Sequence, residues 1–335
     1  MTKTLAAPSQ SPASAPGRAV VITAPGQVEI RVQAQPPVGP RQVRVRLEGC
    51  GVCGSNLPVW EGRPWFSYPL EPGAPGHEGW GVVEECGAEV ENLTAGDRVA
   101  LLSYHAFADY DVADADQVVR LPASLAGQRF PGEALGCAIN VFRRSYLEAG
   151  QTVAVVGVGF LGALLINLAA RAGAHPIAVT RRPFALEAAR RMGARETVAV
   201  GEDPGAVVQQ VRELTGGRGC ERVIEATGLQ GPLDLAGEIT AERGRLIIAG
   251  YHQDGLRQIN LQSWNWRGLD VINAHERDPR VYVEGMRLAM AAIEQGRMDP
   301  TPLYTHRFEL EQTGEALECL RQRPADFLKA LVTCH

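Results

Sequence analysis

From Gln151 onward the chain alternates short apolar runs with amphipathic stretches, and this alternation constrains the fold more than any other feature. QTVAVVG, HPIAVT, ETVAVG, RVIEATG, RGRLIIAG and LDVINA each have the length and near-uniform apolarity of a strand buried on both faces. The intervening stretches have helical spacing. FLGALLINLAARAG lines up Leu161, Leu164, Leu165 and Leu168. PFALEAARRMG opens on a proline and stops at Gly193. In DPGAVVQQVRELTGG, Asp203 is the expected N-cap and Val207, Val208, Val211 and Leu214 the apolar face. Strands that alternate with helices in this way predict an open, doubly wound parallel α/β sheet of the Rossmann type.

The first strand runs into GVGFLG, with glycines at 157, 159 and 162. In a dinucleotide site Gly157 allows the tight turn, Gly159 lets a pyrophosphate reach the backbone, and Gly162 lets the helix pack on the strand. Phe160 and Leu161 begin that helix, whose free N–H groups face the phosphates. The second strand ends in AVTRRP. Thr180 stands where an NAD enzyme places an acid, and Arg181 and Arg182 follow it. A hydroxyl and two guanidiniums suit a 2′-phosphate that a carboxylate would repel, so NADP(H) is expected over NAD(H).

The rest of the chain reads differently. Residues 18–140 hold short β-rich runs split by Gly and Pro, as in an antiparallel or barrel-like unit. After about His275 comes an amphipathic helix (Val283 to Gln295) and then RFELEQTGEALECLRQ, which does not extend the alternation. The expected division is a tail at 1–17, a discontinuous unit at 18–140 and 275–335, and a nucleotide-binding unit at 141–274. A net charge of −5 argues against a nucleic-acid protein. No apolar run is long enough to span a bilayer, and the opening residues lack the core of a signal peptide. The seven scattered cysteines suit reduced thiols, and a cytoplasmic location is expected.

Two stretches of the β-rich part carry metal-binding residue types. GCGVCGSN offers Cys53, and GAPGHEGWG offers His77 beside Glu78. One thiolate, one imidazole and one carboxylate form a set suited to zinc. For a fourth position PGEALGCAIN offers Glu133 and Cys137. Cys50 completes a CxxC with Cys53 but has no second CxxC to pair with, and reads as a strand cysteine.

Taken in order, GVCGSN, PGHEGWG, GDRV at 96–99 and GVGFLG before a strand–helix alternation resemble the zinc-dependent medium-chain dehydrogenase/reductase superfamily. The resemblance implies a GroES-like β-rich catalytic domain joined to a Rossmann domain, with the active site in the cleft between them. It implies a catalytic zinc held by Cys53 and His77, with Glu78 binding directly or exchanging with water. Cys137 would complete the shell in alcohol-dehydrogenase-like members and Glu133 would approach it in the sorbitol and glucose dehydrogenase branch, which the EALGCA context favours. Ser55 would hydrogen-bond the reacting oxygen. The substrate would be an alcohol, a polyol or the matching carbonyl compound, and the assembly a homodimer or homotetramer, with the LDVINA edge as the expected seam.

Three departures stand out. No cysteine lies between Cys86 and Cys137, so one catalytic zinc and no structural zinc are expected. Asn56 replaces the Asp that relatives use to hold the zinc histidine, and is expected to accept a single hydrogen bond in its place. Pro58 stands where liver-type alcohol dehydrogenases end a proton relay in histidine. These leave a second reading open: a non-catalytic NADP(H)-binding sensor, or a zinc-free reductase of the same fold. The aromatic loop VWEGRPWFSYP and the pair Trp264 and Trp266 are candidate pocket walls.

Overall fold

The computed structural model describes residues 15–334. Of the tail expected at 1–17, residues 1–14 lie outside the described residues, and Gly17 already opens the first strand. The first part of the chain forms β1 (Gly17–Ala24), β2 (Gln27–Gln33), β3 (Gln42–Val52), the one-turn helix α1 (Leu57–Trp60), β4 (Gly79–Cys86), β5 (Arg98–Leu101), β6 (Tyr110–Asp114), β7 (Val118–Arg120) and α2 (Gly132–Ser145). The middle part forms β8 (Thr152–Val156), α3 (Phe160–Arg171), β9 (His175–Thr180), α4 (Pro183–Arg191), β10 (Glu196–Ala199), α5 (Pro204–Leu214), β11 (Cys220–Glu225), α6 (Gln230–Ile239), β12 (Thr240–Ile248), α7 (Leu261–Arg267) and β13 (Asp270–Asn273). The last part forms α8 (Pro279–Glu294), β14 (Tyr304–Glu309), α9 (Thr313–Gln322) and β15 (Lys329–Thr333).

Among the described residues the middle strands make one six-stranded parallel sheet in the order β10-β9-β8-β11-β12-β13. These are the six strands expected from the alternation. Val153 to Val156 of β8 are buried because helices cover both faces of the sheet. The Asp203 carboxylate accepts from Gly205 N at 2.8 Å and caps α5 as its sequence suggests. The strand order reverses between β8 and β11, and this reversal opens a crevice at the carboxyl ends of the strands.

The second sheet takes strands from both ends of the chain, in the order β14-β15-β3-β4-β5-β7, with β6 paired to β3 off that path. β15 lies antiparallel to β3, with Ala330 opposite Val52 and Leu331 opposite Gly51. The final strand is thereby placed beside the segment that leads into Cys53. The two sheets share one apolar core, running from Trp80, Ala100 and Phe130 through Leu135 and Ala138 of α2 to Val153, Val155 and Leu165. The close α2–α8 approach needs glycine on both helices: a Cβ at Gly136 would lie 2.9 Å from Met286 N, and one at Gly285 2.8 Å from the Asn140 amide. No helix among the described residues is long and apolar enough to cross a membrane.

Candidate metal and cofactor site

Cys53 follows β3 directly and caps a 3-10 turn over Gly54–Asn56. His77 and Glu78 immediately precede β4. β3 and β4 pair antiparallel, with Cys50 opposite Gly79, so the two short motifs meet at one end of the sheet. The Cys53 thiol, a His77 ring nitrogen and a Glu78 carboxylate oxygen all lie within 4.8 Å of one another. His77 Nδ1 is 2.8 Å from the Pro75 carbonyl. A carbonyl only accepts, so Nδ1 carries a proton toward it and Nε2 is the nitrogen left to face the cluster. One thiol, one imidazole and one carboxylate at this spacing fit a zinc ion, which would take the place of the Nε2 proton.

The structure corrects the expected role of Asn56. Its Oδ1 accepts from Cys53 N at 2.8 Å and its Nδ2 donates to the Pro75 carbonyl at 3.1 Å. Asn56 is buried in the turn right after Cys53, and the nearest groups able to satisfy its amide are backbone ones. It ties the two ligand-bearing loops together, while Pro75 holds the imidazole. The Ser55 hydroxyl lies 3.3 Å from His77 Nε2, on the cluster side of the ring. Burial alone would lower the His77 imidazolium, but the hydrogen bond and charge of Cys53, with Glu133 and Glu78 beyond, carry it up to about 10. This excess of negative donors calls for a cation.

One buried cation is already present, and it was not anticipated. Lys329 Nζ lies 2.7 Å from Glu78 Oε1 and 2.5 Å from Oε2, with both residues almost fully buried. Burial would lower the Lys329 ammonium, but Glu78 and Cys53 raise it above its ordinary value. Gly51 makes room for the pair, since a Cβ there would fall 1.8 Å from Glu78 Oε2. The Lys329 ammonium also sits 4.9 Å over the Phe160 ring, which stacks on Tyr304. Phe160 thus links the glycine turn to the metal cluster through its side chain.

Glu133 and Cys137 occupy one face of α2, with the Cys137 thiol donating to Glu133 Oε1 at 3.2 Å. Burial pushes the Glu133 carboxyl up, opposed by His77 and reinforced by Glu78. Burial and Glu133 hold the Cys137 thiol well above its usual value. Both stand within electrostatic reach of the three clustered residues, which they do not join at ligand spacing.

At the crevice, Gly157 has φ +99°, and a Cβ there would meet Thr227 Cγ2 at 2.4 Å. A Cβ at Gly162 would lie 2.1 Å from the Gly157 carbonyl, so α3 packs on the turn only through glycine. Gly159 has nothing within 4 Å of its Cβ position, an open notch that suits a pyrophosphate. Leu161 is partly buried behind this turn. Thr180 ends β9, half-buried, and Arg181 beyond it is exposed. Arg182 is engaged otherwise: it donates to the Phe327 carbonyl and, at 3.4 Å, to the Val158 carbonyl. Of the two arginines, Arg181 is the one turned to solvent.

The rings of the 59–69 loop divide between packing and surface. Trp60 is buried and donates to Glu318 Oε2 at 3.3 Å, and the Tyr68 hydroxyl donates to the Val59 carbonyl. Trp65 is exposed, tilted against Phe66. Trp264 is buried against α6 and Trp266 is 88% exposed. The ring beside the cluster is Tyr104, stacked on His77 with centroids 6.3 Å apart. Its single-letter context, ALLSYHAF, carries no metal or pocket motif that could have drawn attention to it.

Comparison with known proteins identifies the family. Residues 39–123 match the alcohol dehydrogenase GroES-like domain, and residues 161–290 match the zinc-binding dehydrogenase family. The chain is similar to mouse sorbitol dehydrogenase, at 27% identity over 97% of this chain and 98% of that one. It is also similar to the L-threonine 3-dehydrogenase of Bacillus velezensis, at 26% identity over 86% of this chain and 90% of the other. The solved 2R,3R-butanediol dehydrogenase of Bacillus subtilis superposes with a TM-score of 0.82 at 25% identity, covering 95% of this chain and 99% of its own.

Proposed function

This chain belongs to the zinc-dependent medium-chain dehydrogenase/reductase superfamily and is an alcohol or polyol dehydrogenase of the zinc type; from that premise we propose that it uses NADP(H), holds one catalytic zinc through Cys53 and His77, and acts on a polyol or related secondary alcohol. The observation that carries the reading is the meeting of the Cys53, His77 and Glu78 donors within 4.8 Å of one another. In this reading the substrate lies in the cleft between the β-rich unit (18–140 and 275–335) and the nucleotide-binding unit (141–274). The retained ligand set disfavours the sensor and zinc-free readings.

Zinc supplies Lewis acidity at the substrate oxygen, and the nicotinamide supplies or takes the hydride. The protein's own residues do the rest. Asn56 and Pro75 fix the loops that present Cys53 and His77. Ser55, 3.3 Å from His77 Nε2, hydrogen-bonds the reacting oxygen and passes its proton outward. Lys329 pairs with both Glu78 oxygens and holds that carboxylate in place beside the cluster. Glu133 adds a buried carboxyl on the α2 side, outside ligand spacing and so placed to partner an exchanging water, with the Cys137 thiol behind it. The glycine turn takes the pyrophosphate, and Thr180 with Arg181 takes the 2′-phosphate.

The cofactor reading has a direct test. Thr180→Asp sets a carboxylate against the 2′-phosphate and is expected to cut kcat/KM with NADP about a hundredfold or more while sparing NAD. Steady-state kinetics with both cofactors on a polyol panel measures this. A wild-type enzyme that prefers NAD would refute the assignment.

We also assign a homodimer across the β13 edge. Asp270, Val271 and Asn273 are exposed on that strand, with Leu261 and Trp266 exposed on the helix before it. An open edge flanked by apolar side chains suits a second copy that continues the sheet. Trp266→Glu is expected to shift the sedimentation coefficient from dimer toward monomer, and a monomeric wild type would exclude the arrangement.

A further inference from the structure

A buried carboxylate at the carboxyl end of the parallel sheet has no part in the scheme above. Glu225 closes β11 and is fully buried. It stands opposite Val156 of β8 on one side and Ile248 of β12 on the other. One of its oxygens accepts from Thr227 N at 2.6 Å, Gly228 N at 3.0 Å and the Thr227 hydroxyl. The other lies 3.0 Å from His252 Nε2. Arg257 Nε donates to His252 Nδ1 at 2.8 Å, and its Nη2 donates to the Gly228 carbonyl at 2.7 Å and to Asp254.

The partners fix each proton. A guanidinium cannot accept, so His252 Nδ1 is the acceptor and Nε2 carries the proton given to Glu225. Burying a carboxylate is unfavourable unless donors surround it, and here two loops supply them, one after β11 and one after β12. The loops also interlock by shape. A Cβ at Gly228, whose φ is +77°, would lie 2.5 Å from the Tyr251 carbonyl, and one at Gly250 2.1 Å from Gly228 N. The Thr227 methyl is the atom that a Cβ at Gly157 would meet first, so Glu225, by holding Thr227, also sets what packs on the glycine turn.

A dinucleotide lies across the point where the strand order reverses, with one nucleotide over each half of the sheet. With the adenosine side at Thr180, which ends β9, the other half of the cofactor falls to the ends of β11 and β12, where Glu225 ties the two loops together. We propose that Glu225 is a positioning residue for the nicotinamide half of the cofactor, acting through Thr227 and through the His252 tautomer that Arg257 fixes. The inference rests on the cofactor reading given above.

Glu225→Gln keeps the shape and turns one acceptor into a donor. The new amide N–H faces His252 Nε2–H, and a change of tautomer only moves the clash to Nδ1–H against Arg257 Nε–H. Binding of NADPH, read by its fluorescence, is compared with binding of adenosine 2′,5′-bisphosphate, the adenosine half alone, read by calorimetry. Glu225→Gln is expected to weaken NADPH about tenfold, the factor one net hydrogen bond confers, and to leave the bisphosphate within about twofold. A general loss of structure would weaken both. Arg257→Gln sets an amide oxygen where Nε stands, which accepts from Nδ1–H, so the NADPH losses of the two single variants are expected not to add in the double variant. Thr227→Val removes one donor to the same oxygen from a half-buried side chain, and is expected to weaken NADPH about threefold with the bisphosphate again spared; this variant decides the matter where Glu225→Gln does not fold. Unchanged NADPH affinity, equal losses on the two ligands, or additive losses in the double variant overturn the proposal. A wild type that binds NADH and AMP but neither NADPH nor the bisphosphate overturns the NADP(H) assignment instead, and the same comparison made with that pair then decides the role of Glu225.

Discussion

A His77→Ala enzyme is expected to lose its metal and at least about three orders of magnitude in kcat/KM, because Lewis-acid polarisation contributes several kcal/mol to the barrier. The residue has no substitute within the cluster. Its Nδ1 is committed to the Pro75 carbonyl, so Nε2 alone faces Cys53 and Glu78. Removing the ring leaves only the Cys53 thiol and the Glu78 carboxylate of the three clustered donors. Folding should survive, since the loop is held by Asn56 through Cys53 N and Pro75 O rather than by the imidazole. The check is elemental analysis beside steady-state kinetics. Retained zinc with near-normal turnover would show that the ion, if any, binds elsewhere.

Lys329→Met is expected to destabilise the metal-free protein by about 3–5 kcal/mol, the cost of leaving a buried charge without its partner. Methionine keeps most of the volume, so packing on Phe160 and Tyr304 changes little and the effect isolates the ammonium. Glu78 is fully buried, and Lys329 is the cation that contacts both of its oxygens. The double variant Lys329→Met, Glu78→Gln should recover much of the loss, because no buried charge is then left alone. Urea unfolding of the wild type, Lys329→Met, Glu78→Gln and the double variant measures the coupling. A single variant as stable as wild type would mean that Glu78 is rehydrated or protonated at little cost.

How much of this was legible in the chain follows from how local each signal is. Six parallel strands could be read because a strand covered by helices on both faces must be apolar along its whole length, as in TVAVV and HPIAVT. The glycine turn could be read because its three glycines answer steric demands within six residues, and two of the three prove to be sites where a Cβ would collide. Cys53, His77 and Glu78 stood out by residue type, and one antiparallel pairing brings them together. Lys329 could not be read: it lies 251 residues from Glu78, and only the return of β15 to β3 makes them neighbours. Tyr104 was hidden for the same reason, since it reaches His77 from the loop after β5. Asn56 was seen as a departure, but its partners are backbone groups that carry no trace in residue identity. Arg182 was grouped with Arg181 by adjacency, and the fold parts them by setting Arg182 at the N-cap of α4, against the Phe327 carbonyl.

The central claim is that Cys53, His77 and their neighbours hold one catalytic zinc. The most direct test is metal stoichiometry by elemental mass spectrometry, on protein purified with neither added metal nor chelator and compared with Cys53→Ser. The account predicts about one zinc per chain in the wild type and loss of that zinc in the variant, as expected for an ion held by few protein ligands. Essentially no zinc in the wild-type protein, or an undiminished content in Cys53→Ser, would contradict it.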